Sequence, residues 1–238
     1  MKKLNFIIKC GLALLLLSFY SCESWLNVTP SDRLSEEMLF NDREGFVKAL
    51  NGVYIELNTN ELYGRNLTAG ALDVMGQYYS VASSSHAFYN YGGLVYTGND
   101  EKALFDNMWQ KCYAVIACCN TIIEKCDENK AGLSPVWRGS IKGEALALRA
   151  MLHFDMLRLF GPLTSELDKE SIPYQTNSDQ TVTPLLSGSE VVGLILDDLK
   201  NAVGLLKDTD PYFVEEEFSD TDLNYRRFRM NYFAAKGL

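Results

Sequence analysis

An all-α fold follows from three features of this 238-residue sequence: apolar residues spaced by three and four, capping residues and prolines that punctuate them, and a short linker between the two longest such segments. At 47% hydrophobic residues the chain can bury one sizeable core, near the upper end of what a single domain uses.

The amino terminus is a different kind of element. Met1-Lys2-Lys3 precedes an apolar stretch centred on Gly11 to Leu17, then Ser18-Phe19-Tyr20-Ser21-Cys22, the layout of a secretory signal peptide over residues 1–21. Its unbroken apolar run after Lys9 and Cys10 is shorter than the roughly 20 residues that span a bilayer. The Ser21-Cys22 junction resembles a bacterial lipobox, in which the cysteine is diacylated and becomes the first residue, although Tyr20 is bulkier than the pattern usually shows. Lipid on Cys22 would hold the protein at a membrane, each buried methylene contributing about 0.8 kcal/mol. A lipidated cysteine and tether then occupy 22–34, with Pro30 keeping its neighbour extended.

The helical segments follow, from residue 35 onward. After a short turn at Ser35 to Leu39, Asn41 with Glu44 three residues later reads as an N-cap, and Phe46, Leu50, Val53, Tyr54 and Leu57 line one helix face. A weaker helix is predicted over Leu67 to Tyr79, with Leu72, Met75 and Tyr79 on one side despite Gly70 and Gly76. Residues 80–100 mix serines and glycines with aromatic residues and read as a loop. Asp100 to Cys126 is a long helix. Another opens at Ser134-Pro135, a cap followed by proline at the first helical position, and stops at Gly161-Pro162. Each is about 38 Å long, and the short 127–133 linker makes them an antiparallel pair. Residues 163–186 are polar and proline-bearing, a surface excursion anchored only at Ile172-Pro173-Tyr174 and Thr183-Pro184. A further helix starts near Ser187 or Ser189 and buries Val192, Ile195, Leu196, Leu199, Val203 and Leu206. The acidic run Glu215-Glu216-Glu217 falls in a loop, and Arg229 to Leu238 opens a last apolar-periodic helix that ends without a partner or capping tail. That ending reads as truncation, and it leaves Met230, Phe233 and Ala234 expected to lack a partner surface.

Charge and titratable residues narrow the function. Without residues 1–21 the chain carries 19 basic and 31 acidic residues, a net charge of −12, which repels phosphate backbones and anionic headgroups. Nucleic acid is excluded as a partner, and a neutral ligand fits better. Cys112, Cys119 and Cys126 are seven residues apart, so neighbours on that helical stripe lie about 10.5 Å from each other, beyond the roughly 7 Å limit for a disulfide. With Cys118 they read as small packed residues. No C-x-x-C occurs and there are two histidines, His86 and His153, so neither a zinc site nor any cofactor is expected. Glu144 and Arg149 are better read as ion-pairing partners of neighbouring helices than as catalytic groups, and His153 and Asp155, two apart, form no dyad. The sequence offers no credible nucleophile, so the protein reads as a binding protein and not an enzyme.

The run Ile141 to Gly161, IKGEALALRAMLHFDMLRLFG, resembles the signature helix of the SusD/RagB family of outer-membrane nutrient-binding lipoproteins. Trp25 to Pro30 (WLNVTP), Ala49 to Tyr54 (ALNGVY), Cys119 to Ile123 (CNTII), Ile172 to Tyr174 (IPY) and the Arg229 to Leu238 segment stand in the family's order. Gly161-Pro162-Leu163 is shorter than the usual loop at that point, and family members continue for a long second half. The resemblance implies tetratricopeptide-like stacked helix pairs with long irregular loops over 35–238, the amino-terminal half of a SusD-like fold. It also implies a lipid-anchored, surface-exposed protein of the outer membrane. Such a protein captures oligosaccharides and hands them to a TonB-dependent transporter of the SusC type.

Sugar recognition needs aromatic faces for the apolar face of a pyranose and amides or carboxylates at the rim. Tyr78, His86, Phe88, Tyr89, Asn90 and Tyr91 supply that mix on a loop that Gly92-Gly93 can reshape, and Asp73 lies just upstream. The resemblance places family ligand contacts in the corresponding loop. The competing reading of these aromatics is that they pin the loop to the helices, while Trp109 and Trp137 read as core. Two other functions compete with glycan capture: a helical scaffold for peptide or protein ligands, and a lipoprotein hydrolase, which would need two carboxylates converging in a cleft.

Overall fold

The computed structural model describes residues 36–179 and 181–238. The expected signal peptide (1–21), the lipidation site Cys22 and the tether (22–34) lie outside the described residues. In chain order the helices are α1 (Glu36–Leu39), α2 (Arg43–Leu57), α3 (Ala71–Met75), α4 (Tyr89–Gly92), α5 (Asn99–Glu128), α6 (Pro135–Phe160), α7 (Gly188–Thr209), α8 (Asp220–Arg226) and α9 (Tyr232–Gly237). No strand occurs among the described residues, and the fold is all-α. None of the described helices is long and apolar enough to cross a membrane.

α2 begins one residue later than the sequence suggests. Asp42, in extended conformation, accepts the Gly45 N–H at 2.8 Å, so the cap is Asp42 and not Asn41. Phe46, Leu50, Val53 and Leu57 are buried as their spacing predicts, and Tyr54 is half-buried.

The expected helix over Leu67 to Tyr79 shrinks to α3. Its cap is Gly70, which has no side chain to satisfy the helix N–H groups, and Gly76 ends it. Ala71 and Val74 face inward instead of Leu72, Met75 and Tyr79. Gln77 then turns the chain with φ 62.

α5 and α6 form the predicted antiparallel pair: Asp127 meets Lys142, Asn120 meets Arg149 and Cys112 meets Leu152. Asn129 closes α5 in the left-handed conformation (φ 44), and its carboxamide both accepts from the Leu133 N–H and donates to the Leu133 carbonyl. Ser134 caps α6 through the Trp137 N–H.

α6 and α7 also run antiparallel, since Gly143 approaches Leu206 while Arg149 meets Asp198. Their contact is close because α6 presents glycine to α7. A Cβ at Gly139 would stand 2.5 Å from Thr209 and one at Gly143 2.8 Å from Leu206. The stripe that α7 buries is Val191, Ile195, Leu199, Ala202 and Leu206, and Leu196 is 47% exposed. Val192 and Val203 are half-buried.

Most described residues of 163–186 are exposed, as the expected surface excursion requires, and Ile172 and Tyr174 are its buried anchors. Ser171 donates to Leu186 and Leu186 to Ile172, and an isolated bridge pairs Glu170 with Ser187. Ile172 and Tyr174 sit in the main core. α8, which the sequence pattern does not reveal, opens with a capping box in which Ser219 and Asp222 each accept from the other's N–H. Met230 and Ala235 are buried, against the expectation for the last helix, while Phe233 and Ala234 are exposed.

Candidate functional site

The aromatic loop is built on a second, small core of Ala71, Val74 and Tyr91. Tyr91 is 2% exposed; its ring packs edge-on against Phe105 of α5 (centroids 6.0 Å) and Phe88 (5.9 Å). Phe88 is half-buried, with the Arg65 guanidinium 5.8 Å from its ring centre. These two rings pin the loop, as the competing reading of the aromatics requires. Gln77 Nε2 donates to the Gly92 carbonyl (3.0 Å), which draws the Tyr78 turn against α4.

The remaining candidates lie on the outside of that platform. Tyr78 is 80% exposed and Tyr89 42%, while His86 and Asn90 are exposed and Asp73 is partly so. His86 Nδ1 accepts the Phe88 N–H at 3.1 Å, a geometry that leaves Nε2–H of the neutral ring as an outward donor. Asn90 donates to the buried Glu101 (2.7 Å), so its carbonyl oxygen is the group that can accept. Exposed phenol rings beside an amide, an imidazole and a carboxylate can stack on a sugar ring and bond its hydroxyls.

The charged residues of the signature helix do something else. Arg149 forks onto Asp198 with two bonds of 2.7 Å and donates to Asn120, and Tyr174 donates to the same aspartate. Asn120 in turn donates to the Gln175 and Asn177 carbonyls. His153 stacks on Tyr174 (centroids 3.9 Å); its Nδ1–H donates to the Arg149 carbonyl and Nε2 accepts the Gln175 N–H. Burial depresses the His153 pKa to about 4, and the two bonds fix the neutral tautomer.

Glu144 is the hub of a second network. It accepts from Tyr54, Arg226 and Arg229, and Arg226 bridges to Asp210. Burial alone would raise the Glu144 carboxyl, but the two guanidinium groups and the Tyr54 hydroxyl hold it below the usual glutamate range. The ion-paired side chains of both networks are 0–18% exposed and pair with one another, an arrangement that ties helices together. Cys112, Cys119 and Cys126 are buried free thiols whose pKa values burial pushes up, that of Cys126 to about 12.

A cavity of about 510 Å³ opens beside the Glu144 hub, between α2, α6 and the 211–229 segment. Sequence reasoning missed it, because half its wall comes from α8 and its flanks, and α8 is too short and too polar to carry a periodic signal. No group of three or more histidine, cysteine, aspartate or glutamate side chains is placed to hold a metal among the described residues.

A family model described as SusD-like, starch-binding and associating with the outer membrane, matches residues 24–219. SusD-like protein P38 of Formosa agariphila is 27% identical over 199 residues, covering 76% of this chain and 34% of the relative. SusD-like protein P2 of the same organism is 26% identical over 166 residues, 68% of this chain and 30% of the relative. Among solved structures, a SusD-like carbohydrate-binding protein from Bacteroides vulgatus superposes with a TM-score of 0.57 at 26% identity, over 69% of this chain and 36% of the other. A SusD-like protein from Bacteroides fragilis gives 0.60 at 18% identity over 87% and 35% of the two chains, and shows the shared fold. The chain spans about a third of the length of these relatives.

Proposed function

The chain belongs to the SusD-like family, and from that premise we propose that it is an outer-membrane lipoprotein that binds neutral oligosaccharides and passes them to a TonB-dependent transporter of the SusC type. Cys22 carries the lipid anchor in this reading. The observation that carries the ligand class is the set of exposed rings and hydrogen-bonding groups on one pinned loop: Tyr78, His86, Tyr89 and Asn90, with Asp73 beside them. Phe88 and Tyr91 hold that face in place from below. The net negative charge excludes polyanionic glycans as preferred ligands and favours uncharged ones.

Binding would proceed without chemistry. Tyr78 and Tyr89 take the C–H faces of successive sugar rings, His86 Nε2–H donates to a sugar hydroxyl, and the Asn90 carbonyl accepts from one. The carboxylates nearest the Glu144 hub are engaged by arginines, so no acid-base pair stands free there to cleave a glycosidic bond.

Calorimetric titration of the intact chain in detergent against a panel of neutral plant and host oligosaccharides tests the reading. Saturable binding, with a component that Tyr78→Ala with Tyr89→Ala removes, is the expected result. A folded protein that binds no glycan but binds peptides would overturn it.

A further inference from the structure

We infer that the cavity beside Glu144 is a second carbohydrate-binding cleft, separate from the aromatic loop and selective for a short neutral saccharide. The inference rests on the proposed glycan-binding function and adds a site to it.

Size comes first. About 510 Å³ lies within the range of small-ligand pockets, enough for two or three sugar units. The chemistry of the wall comes second. Tyr225 is 62% and Phe228 72% exposed at the mouth, and Trp137 and Phe218 line the interior, packed on each other with centroids 4.4 Å apart. Arg227 lies over the Phe228 ring (4.8 Å) and steadies it on one face. Exposed rings at the mouth of a cavity are the feature that carbohydrate stacking requires, and one that a closed core would have buried.

Charge then selects the ligand. Glu144, Arg226 and Asp210 are satisfied by one another, so an ionic ligand meets no unpaired buried charge to bind. The same pairing leaves weaker groups facing the cleft. Arg229 engages Glu144 through Nε and Asn51 through Nη1, which leaves Nη2 to donate. Asn51 accepts that bond through its oxygen and keeps its amide hydrogens, and Asp222 commits Oδ2 to the Ser219 cap and keeps Oδ1 as an acceptor. Donors and acceptors in this mix, with the buried charges paired, match sugar hydroxyls better than a peptide backbone or an anion. The ionic network also fixes the position of the cleft: Arg226 and Arg229, held by Glu144, bracket Phe228 in sequence.

The three tryptophans allow the two sites to be read apart. In the intact chain labelled with 5-fluorotryptophan, Trp137 reports the cleft, and Trp109 lies beneath the loop through Phe160 and Phe105. Fluorine NMR with maltotriose, cellotriose and xylotriose as probes, alongside calorimetry, should show a saturable shift of the Trp137 resonance. Tyr225→Ala with Phe228→Ala should weaken the affinity read at Trp137 at least about tenfold. Both are surface positions, and unchanged circular dichroism would show the fold intact. Tyr78→Ala with Tyr89→Ala should leave the Trp137 shift in place. Saccharide binding that the loop variant abolishes while Trp137 never moves would overturn the second cleft and leave the proposed function standing. Binding of no saccharide at either site would overturn both.

Discussion

The Glu144 and Arg149 networks and the 77–96 aromatic loop treat polar and apolar groups in opposite ways. In the networks, carboxylates, guanidiniums and an imidazole are buried and committed to each other. In the loop, phenol rings that could have packed stand in solvent on a small core of three residues. A residue type that suggests chemistry serves architecture in one region, and a type that suggests packing is offered to solvent in the other. The physical reason is shared. A desolvated charge must be paired, so a buried one is held by its partners, whereas a ring at a surface keeps its face free.

The largest test of this contrast removes the hub. Glu144→Ala takes the carboxylate partner from Arg229 and one of two from the buried Arg226, and about 3 to 5 kcal/mol of unfolding free energy should be lost in urea titration. A loss below about 1 kcal/mol would show the network to be solvated and the contrast false.

Acid probes the Arg149 network. The His153 pKa is depressed in the folded state to about 4 from an ordinary value of 6.5, so its contribution is fully present above pH 6.5. Stability should fall as the pH drops from about 6.5 to 4, by about 3 kcal/mol in all, because burial penalises the charged ring, and protonation would also set an N–H against the Gln175 N–H. His153→Gln should flatten that part of the pH profile; an unchanged profile would assign the acid sensitivity elsewhere.

Within the loop, Tyr91→Ala should cost about 2 kcal/mol and raise hydrogen exchange across 88–95, since it deletes the largest member of the small core. The smallest effect on stability is expected at Tyr89→Ala, within about 0.5 kcal/mol of the parent, accompanied by a roughly tenfold loss of oligosaccharide affinity. If Tyr89 proved as costly to stability as Tyr91, the division between supporting and offered rings would collapse.

Much of the helical frame is legible in the amino-acid order alone. The α5 and α6 boundaries follow from Ser134-Pro135, Gly161-Pro162 and long runs of spaced apolar residues, which outweigh local noise. α3 is legible only as an overlong helix over Leu67 to Tyr79 and α8 not at all, because five and seven residues carry too few repeats, and α3 lies between two glycines. Ile172-Pro173-Tyr174 can be named as an anchor of the 163–186 excursion but not what that stretch meets, because its partners, Asn120, His153 and Asp198, are 22 to 57 residues away in the chain. In the loop, six aromatic and polar candidates within fourteen positions can be named, but not which of them turn inward.

By itself the sequence determined the two long helices, the Ser134 cap, the family pattern of the signature helix and the likeness of its amino terminus to a lipoprotein leader. These are local properties, written in neighbours three and four residues apart. Only the tertiary structure decided that Tyr91 supports while Tyr78 and Tyr89 are offered, that Glu144 and Arg226 meet across 82 residues, and that a cavity opens beside them. Those outcomes depend on which side chains lose water when distant helices pack, a quantity that no short window of sequence contains.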